Sequence, residues 1–513
     1  MSRETKDAVE SVESAQSQTL LFLQTQLRDL REKIETHISY VLVGENIVFK
    51  LKKAVAFSYL DFSTPKQRLA MCLREFSLNQ KYASNLYLGV RRITRAANDA
   101  LEFDGAGALV DAVVVMHRFD DSALFDALAR QGALTQTMIE ELIRRIAANH
   151  AAEAPQFSAC DPVPLRQEMM QSIESLHAAQ VGAAWERDAY AVKLSAYFSS
   201  MADVLTARCH SGSVRRCHAD LTLHNICLFH GAPTPFDCLE FSDALATIDV
   251  LYDVAFLIMD LRHSGADLLA NVAFNRYLDL RDETDGVALM PFFLSLRAMI
   301  RAYVEKSQRH PQKALSYFAH ARQTLAPSIG FIIAIGGLSG SGKSSVAQAL
   351  APIIGAAPGA RILNSDRIRK RMFGVSPHDN LPVEAYAPSV SEQVYRDLFT
   401  QARCLAQRNW PVIVEAVFDR PEDRAAIELV AQDVGVGFLG VWLDVDLDRR
   451  LARVAARRDD VSDATGDVLL AQMRKQTGDI SWRRIEAISA IDATVCEISA
   501  LVEAAPLCVQ GFT

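Results

Sequence analysis

The chain has 513 residues, with 54 Lys and Arg against 62 Asp and Glu, a net charge of -8, and 50% hydrophobic residues. Its length exceeds what one core usually organises, so two or three domains are expected, and the composition excludes a disordered or fibrous chain. The acidic balance argues against a general nucleic-acid or membrane coat, and nine cysteines without a C-x-x-C pair indicate neither a disulfide framework nor a thiolate zinc site, which fits a reducing cytoplasm.

The opening MSRETKDAVESVESAQSQ is polar, and no later run approaches the roughly 18 apolar residues of a membrane span, so export and membrane insertion are not expected. Leu20, Leu23, Leu27, Leu30 and Ile34 recur at three- and four-residue steps and predict an amphipathic helix within a segment 1–34. ISYVLVGENIVFKLKKAV then predicts a β-hairpin around GEN, RLAMCLREFSLNQKYA a helix, and ALVDAVVVMHRF a strand leaving a small α+β lobe. From about 120 to 205 the pattern is helical. RRCHADLTLHNICLF and PFDCLEF predict short strands and loops, and helices follow through MPFFLSLRAMIRAYVEKS. Pro327 and Gly330 interrupt the helical pattern, which sets a boundary between 35–325 and 326–513. Beyond it FIIAIGG, ARILNSD, PVIVEAV and GFLGVWLDV alternate with helices, the pattern of a parallel sheet with crossover helices.

Two sets of residues carry chemistry. In HADLTLHN, Asp220 and Asn225 stand five apart, the H-x-D-x-x-x-x-N spacing of kinase catalytic loops. Asp220 would accept a proton from a substrate hydroxyl, and Asn225 would ligate magnesium together with Asp237, which follows a short apolar strand. His218 and His224 are read as supports of this loop rather than zinc ligands. Asp249 and Asp253 lie one helical turn apart and would brace the loop. Arg297 and Arg301 share a helix face, which suits either an anion or a surface salt bridge.

The second set begins with Gly337-Leu-Ser-Gly-Ser-Gly-Lys-Ser344, a G-x-x-x-x-G-K-[ST] cradle between an apolar strand and a helix. Gly337, Ser339, Gly340, Ser341, Gly342, Lys343, Ser344 and Ser345 would hold ATP phosphates through backbone N–H groups and the Lys343 charge, with Ser344 on magnesium. LNSDRIRKRMFG places Asp366 and Arg369 at the carboxyl edge of the sheet, Asp366 to accept a hydroxyl proton and Arg369 to hold an anionic substrate. Ser365 or Asp366 could alternatively cap the following helix. Glu415 would organise magnesium through water. Arg449, Arg450, Arg453, Arg457 and Arg458 crowd one helix, and Arg453 and Arg457, one turn apart, would close over ATP.

On these motifs residues 326–513 resemble the P-loop kinases of the gluconate-kinase, zeta-toxin and polynucleotide-kinase group, which often carry an AAA-family ATPase label. Residues 35–325 resemble the aminoglycoside phosphotransferase family, the small-molecule relatives of protein kinases. That resemblance implies a bilobal α+β protein-kinase-like domain ahead of the α/β P-loop domain. It also implies Lys50 as the lysine on α/β phosphates and Glu75 as its helix partner, although Lys52 shares the strand face of Lys50. Ala219 stands where the family has glycine, and no G-x-G-x-x-G loop is present. The expected function is a bifunctional ATP- and magnesium-dependent phosphotransferase acting on hydroxyl acceptors, sugar-like small molecules above all. A nucleic-acid 5′-hydroxyl is the alternative acceptor for the second domain. In a further alternative one domain only senses nucleotide and regulates the other.

Overall fold

The computed structural model of the chain describes residues 16–27, 29–57, 60–157, 162–376, 379–455, 477–487 and 490–504. The alternation in SYVLVGENIVFKLK folds as an antiparallel hairpin, Ser39–Val43 on Ile47–Lys52, closed by the Gly44 N–H donating to Ile47 O at 2.9 Å. This hairpin belongs to a six-stranded sheet in the order Glu32–Glu35, Ser39–Val43, Ile47–Lys52, Ala108–His117, Tyr87–Arg95, Leu101–Phe103, antiparallel throughout. Period-two alternation gives the sheet two different faces. Phe49 and Leu51 pack with Leu23 of the helix at 16–26 and with Leu27 just beyond it. Lys50 and Lys52 lie on the other face, toward the helix Pro65–Ala83.

The first helix is shorter than its leucine spacing predicts. Leu30 and Ile34 are exposed, and residues 32–35 pair with 40–43 as an edge strand, whose backbone bonds replace those of a further helical turn. Pro65–Ala83 starts sharply because Thr64 and Gln67 form a reciprocal capping box ahead of Pro65. Beyond the sheet, Gln136–Ala152, the pairs Val214–Arg216 with Thr247–Asp249 and Ile226–Phe229 with Ala232–Pro235, and the start of the helix Val250–His263 complete this unit.

Contacts divide the chain into Met1–Pro164 with Cys209–Asp260, and Leu165–Arg208 with Leu261–Thr513. The second unit carries a five-stranded parallel sheet in the order Arg361–Asn364, Val412–Glu415, Phe331–Gly336, Gly437–Asp444, Arg483–Glu486. Phe331–Gly336 is central and wholly buried, which is why its run is apolar without alternation. Ile333, Ile335, Val346, Leu350, Ile413, Val441 and Leu443 form the core beside it.

The helices at 165–208 and 261–324 group with this sheet and not with the first unit. One physical reason lies at the sheet edge. Among the described residues Arg361–Asn364 has a strand on one side only, and the helix Asp267–Leu280 covers the other with side-chain amides. Asn275 Oδ1 accepts from the Ile362 N–H at 2.8 Å, Asn271 Nδ2 donates to Pro358 O at 3.0 Å, and Arg361 Nη2 meets Asp279 Oδ1 at 2.7 Å. An open edge is thereby closed without another strand. Thr284–Ser307 is long and apolar enough to cross a membrane by length and composition, contrary to the expectation that no run is, and 72% of its apolar window is buried inside the fold.

Candidate active sites

In the first unit four segments bring the expected residues together. The Lys50 ammonium lies 2.8 Å from Glu75 Oε1 and also pairs with Asp237. Lys52 lies 2.5 Å from Glu75 Oε2 and pairs with Glu240. Lys50 keeps 12% of its side chain exposed and Asp237 38%, whereas Lys52 and Glu75 have none, so of the two lysines only Lys50 is open to a ligand. Burial pulls the Lys50 ammonium down, but Asp237 and Glu75 outweigh it and hold it well above the usual lysine range. Burial likewise pushes Asp237 up, and the charges of Lys50 and Lys52 hold it below the usual aspartate range. Both groups are therefore ionised at neutral pH. The helix Pro65–Ala83 sets Glu75 opposite the lysines, and one turn on Asn79 accepts the Cys238 N–H at 3.1 Å, which fixes the backbone next to Asp237.

Asp220 and Asn225 are adjacent: Asn225 Nδ2 donates to Asp220 Oδ2 at 2.7 Å and to Asp220 O at 3.0 Å. Its supports are buried carboxylates and a histidine. Asp253 accepts the Ala219 N–H at 2.7 Å and the His218 N–H at 3.3 Å, and meets His150 Nε2 at 3.0 Å, so Asp253 braces the loop as its position predicts. Asp249, at the end of the strand Thr247–Asp249, accepts the Leu251 N–H at the start of the helix that follows. Burial lowers His218 to about 4 against the pull of Asp253 and Asp237. The neutral ring fits its contacts: Nε2 donates to Phe236 O at 3.0 Å, and Nδ1 accepts from the Asp220 N–H at 3.3 Å. His218 thus ties the Asp220 loop to the segment around Phe236 and Asp237 that follows the strand Ala232–Pro235, while His224 is exposed. His150, Cys217 and Asp253 bring three ligand atoms within 4.8 Å of one another, but the Asp253 carboxylate is already taken by backbone donors. Ala219 sits at φ 67°, the left-handed conformation that glycine adopts without cost.

In the second unit the cradle follows the central strand. Gly337 and Gly340 have φ of 146° and 82°, and a Cβ at Gly340 would lie 2.7 Å from Arg450 O, so glycine is required sterically as well as conformationally. Gly342, at φ 92°, precedes the helix Lys343–Leu350 without a side-chain cap, leaving the first-turn N–H groups to an anion. Lys343 Nζ folds back to donate to Gly337 O at 2.8 Å and Leu338 O at 3.4 Å. Ser344 donates to Glu415 Oε1 at 2.9 Å, and Asn364 donates to the same oxygen. Ser341 Oγ and Glu415 Oε2 are buried with no hydrogen-bond partner among the described residues, the kind of orphaned oxygen that a phosphate or a hard cation satisfies. Burial raises Glu415 to about 7, aided by nearby Asp366 and opposed by Lys343 and the Ser344 hydrogen bond. Ser339 is buried in the loop and Ser345 faces outward.

Asn364, not Ser365 or Asp366, caps the next helix, its Oδ1 accepting the Arg367 N–H at 2.8 Å, so Asp366 is not spent on capping. Arg369 does not stand open in the cleft. It is buried, donates to Ala385 O at 2.6 Å and lies over the Tyr386 ring at 5.0 Å, with its Nε unpartnered. Arg453 reaches the cradle, donating to Ser341 O at 3.3 Å and to Ala487 O at 3.0 Å. Arg457 and Arg458 lie outside the described residues. Arg301 pairs with Glu305 and Arg297 lies 3.9 Å from Glu168, so both make salt bridges. Motif reading missed Glu240, Asn364 and Asp260, the last of which accepts the Leu223 N–H at 2.8 Å. Only Asp260 left a signal, seven residues after Asp253 on the same helix face.

Residues 332–478 match the AAA domain family. The chain is similar to Uncharacterized protein Rv2004c of Mycobacterium tuberculosis, 28% identical over 472 residues, which are 88% of this chain and 91% of the relative. It is also similar to the adenylyl-sulfate kinase of Myxococcus xanthus, 29% identical over 129 residues, 25% of this chain and 64% of that protein. Among solved structures, the GDP complex of aminoglycoside 2′-phosphotransferase-IIIa covers 60% of this chain and 96% of its own at 12% identity and a TM-score of 0.36. The family match at 332–478 falls within the second unit and takes in the Gly337–Ser344 cradle.

Proposed function

We propose that the chain is a two-site ATP-dependent phosphotransferase, each site passing a γ-phosphoryl group to a hydroxyl of a small, sugar-like acceptor. The observation that carries this reading is alike in both units: a lysine and candidate cation ligands have a further carboxylate close by, and in the first unit the Phe236 N–H, donating to Asn225 O at 2.9 Å, ties the Asp220–Asn225 loop to the residue before Asp237. In the first unit these are Lys50, Asn225 with Asp237, and Asp220. In the second they are Lys343, Ser344 with Glu415, and Asp366, whose charge is felt at Glu415.

In the first site Asp220 would take the acceptor proton as the hydroxyl attacks, held in aim by Asn225, His218 and Asp253, while Lys50 would turn from Asp237 to a phosphate oxygen. In the second, Lys343 would exchange two loop carbonyls for phosphate oxygens, Arg453 would lie over the cradle, and Asp366 would take the proton. Asn225 and Asp237 would hold magnesium in one site, Ser344 and Glu415 in the other. That ion, when bound, screens the phosphate charge that otherwise repels a nucleophile. Asp220→Ala and Lys343→Ala, assayed with labelled ATP and a panel of acceptors, should each remove one activity and spare the other. Loss of both in either variant overturns independent sites, and ATP binding without transfer in either unit favours a sensing role for that unit.

A further inference from the structure

A phosphate-binding strand needs one lysine, and this strand carries two on the same face. Lys52 has no exposed side-chain surface; its ammonium lies 2.5 Å from Glu75 Oε2, pairs with Glu240 and sits 5.8 Å from the Phe62 ring centre. The strand backbone at this point is fixed by Gln16, which donates to Lys52 O at 2.9 Å and to Asp111 Oδ2 at 3.2 Å. The charges form one line, Asp237, Lys50, Glu75, Lys52, Glu240, in which three carboxylates share two ammoniums and the two Glu75 oxygens are divided between the lysines. Glu75, at its centre, is wholly buried, so drawing Lys50 away without replacement would strand a carboxylate in a medium that cannot solvate it.

We propose that Lys52 is the standing counter-ion of Glu75: it remains on Glu75 and Glu240 while Lys50 leaves Asp237 for a nucleotide phosphate. Binding then exchanges a partner at the open end of the line and leaves the buried end paired. The proposal rests on reading the first unit as a magnesium–nucleotide site. Lys52 touches neither phosphate nor cation in it, and is a positioning residue that acts through Glu75.

The test uses the full chain carrying Lys343→Ala, so that binding is read in the first unit alone, and measures affinity for magnesium adenylyl imidodiphosphate by calorimetry. Lys50→Met should weaken binding at least about tenfold, the loss of one charge-assisted bond; unchanged binding there overturns the reading of the site itself. Lys52→Met and Lys52→Gln each raise the excess of carboxylates over ammoniums from one to two, hold Lys50 more tightly and should weaken binding about tenfold. Adding Glu240→Gln to either restores the excess to one and should return affinity to within about threefold of the parent, roughly half the logarithm of that loss. A packing defect would persist in the double variants, so weak binding there overturns the proposal, as does parental binding in the single ones. If the single variants are recovered unfolded and the doubles fold, Lys52 is needed only for folding and the exchange is likewise overturned.

Discussion

Glu415 makes the second site sensitive to pH in a way that can be worked out from its surroundings. Its Oε1 accepts from Ser344 and Asn364, its Oε2 is buried and bare, and burial raises the carboxyl to about 7. A cation held beside Ser344 competes with that proton. With a midpoint near 7, the ionised fraction falls about tenfold from pH 8 to pH 6, so apparent magnesium affinity should fall about tenfold, roughly 1.4 kcal/mol. Glu415→Gln removes the titration, and calorimetric magnesium titrations of the ADP complex, in an Asn225→Ala/Asp237→Ala background that lacks the first site's cation ligands, should then show weaker binding with a shallower pH slope. The phosphates of ADP titrate equally in both proteins, so the difference in slopes isolates Glu415. Stability carries the opposite sign. The folded pKa lies above the ordinary 4.5, so the folded chain binds the proton more tightly than the unfolded one. Stability is then highest below about pH 4.5 and declines as pH rises through 7, by on the order of 3 kcal/mol. Ligand-free Glu415→Gln should therefore melt higher than the parent at pH 8 and close to it at pH 5. Equal slopes in the two proteins, or a lower Tm for the variant at pH 8, would refute the reasoning.

Two further substitutions test the supports of the sites. Ala219→Gly removes a left-handed strain of about 1 kcal/mol and should raise the Tm of the first unit by a few degrees, whereas Ala219→Val should lower it; a glycine variant that melts lower speaks against the assigned conformation. Asn275→Leu leaves the Ile362 N–H without its acceptor at the sheet edge and takes one of several from the Arg361 guanidinium, a cost of about 1–3 kcal/mol, read by urea denaturation. Parental stability in that variant would show that the amide does not close the edge.

What could be read from the sequence was what short-range geometry fixes. The cradle is local: its glycines, Lys343 and Ser344 are set by a strand, a turn and a helix that follow one another, and Asp220 with Asn225 is a single loop. Asp253 was expected to brace the loop from its place beside Asp249, and it holds the Ala219 and His218 N–H groups. Glu240 and Asn364 were not legible, since each gains its role from a partner in another segment, Lys52 and Glu415 respectively. Arg369 has the right position and a different use: the segment 385–391 folds over it, which no residue pattern around Arg369 announces. The leucine spacing overran the first helix because Ile34 fits a helical step and a strand pairing equally well, and only the free sheet edge decides between them.

On the proposed reading the two sites would meet the same difficulty, holding a polyphosphate beside carboxylates, by different means. The first uses side chains already paired with one another, so a ligand must displace an ion pair. Lys50 is held above its usual range and Asp237 below, and none of the displaced partners changes charge near neutrality. The second uses backbone N–H groups, which carry no charge to displace, and leaves one carboxylate, Glu415, half-titrated at about 7. Nucleotide binding in the first unit should therefore follow ionic strength more than pH, because its cost is the breaking of charge pairs that salt screens. In the second, pH enters directly through the proton that the cation must replace. The contrast follows from where each site keeps its negative charge before the ligand arrives: neutralised by a neighbour in one, by a proton in the other.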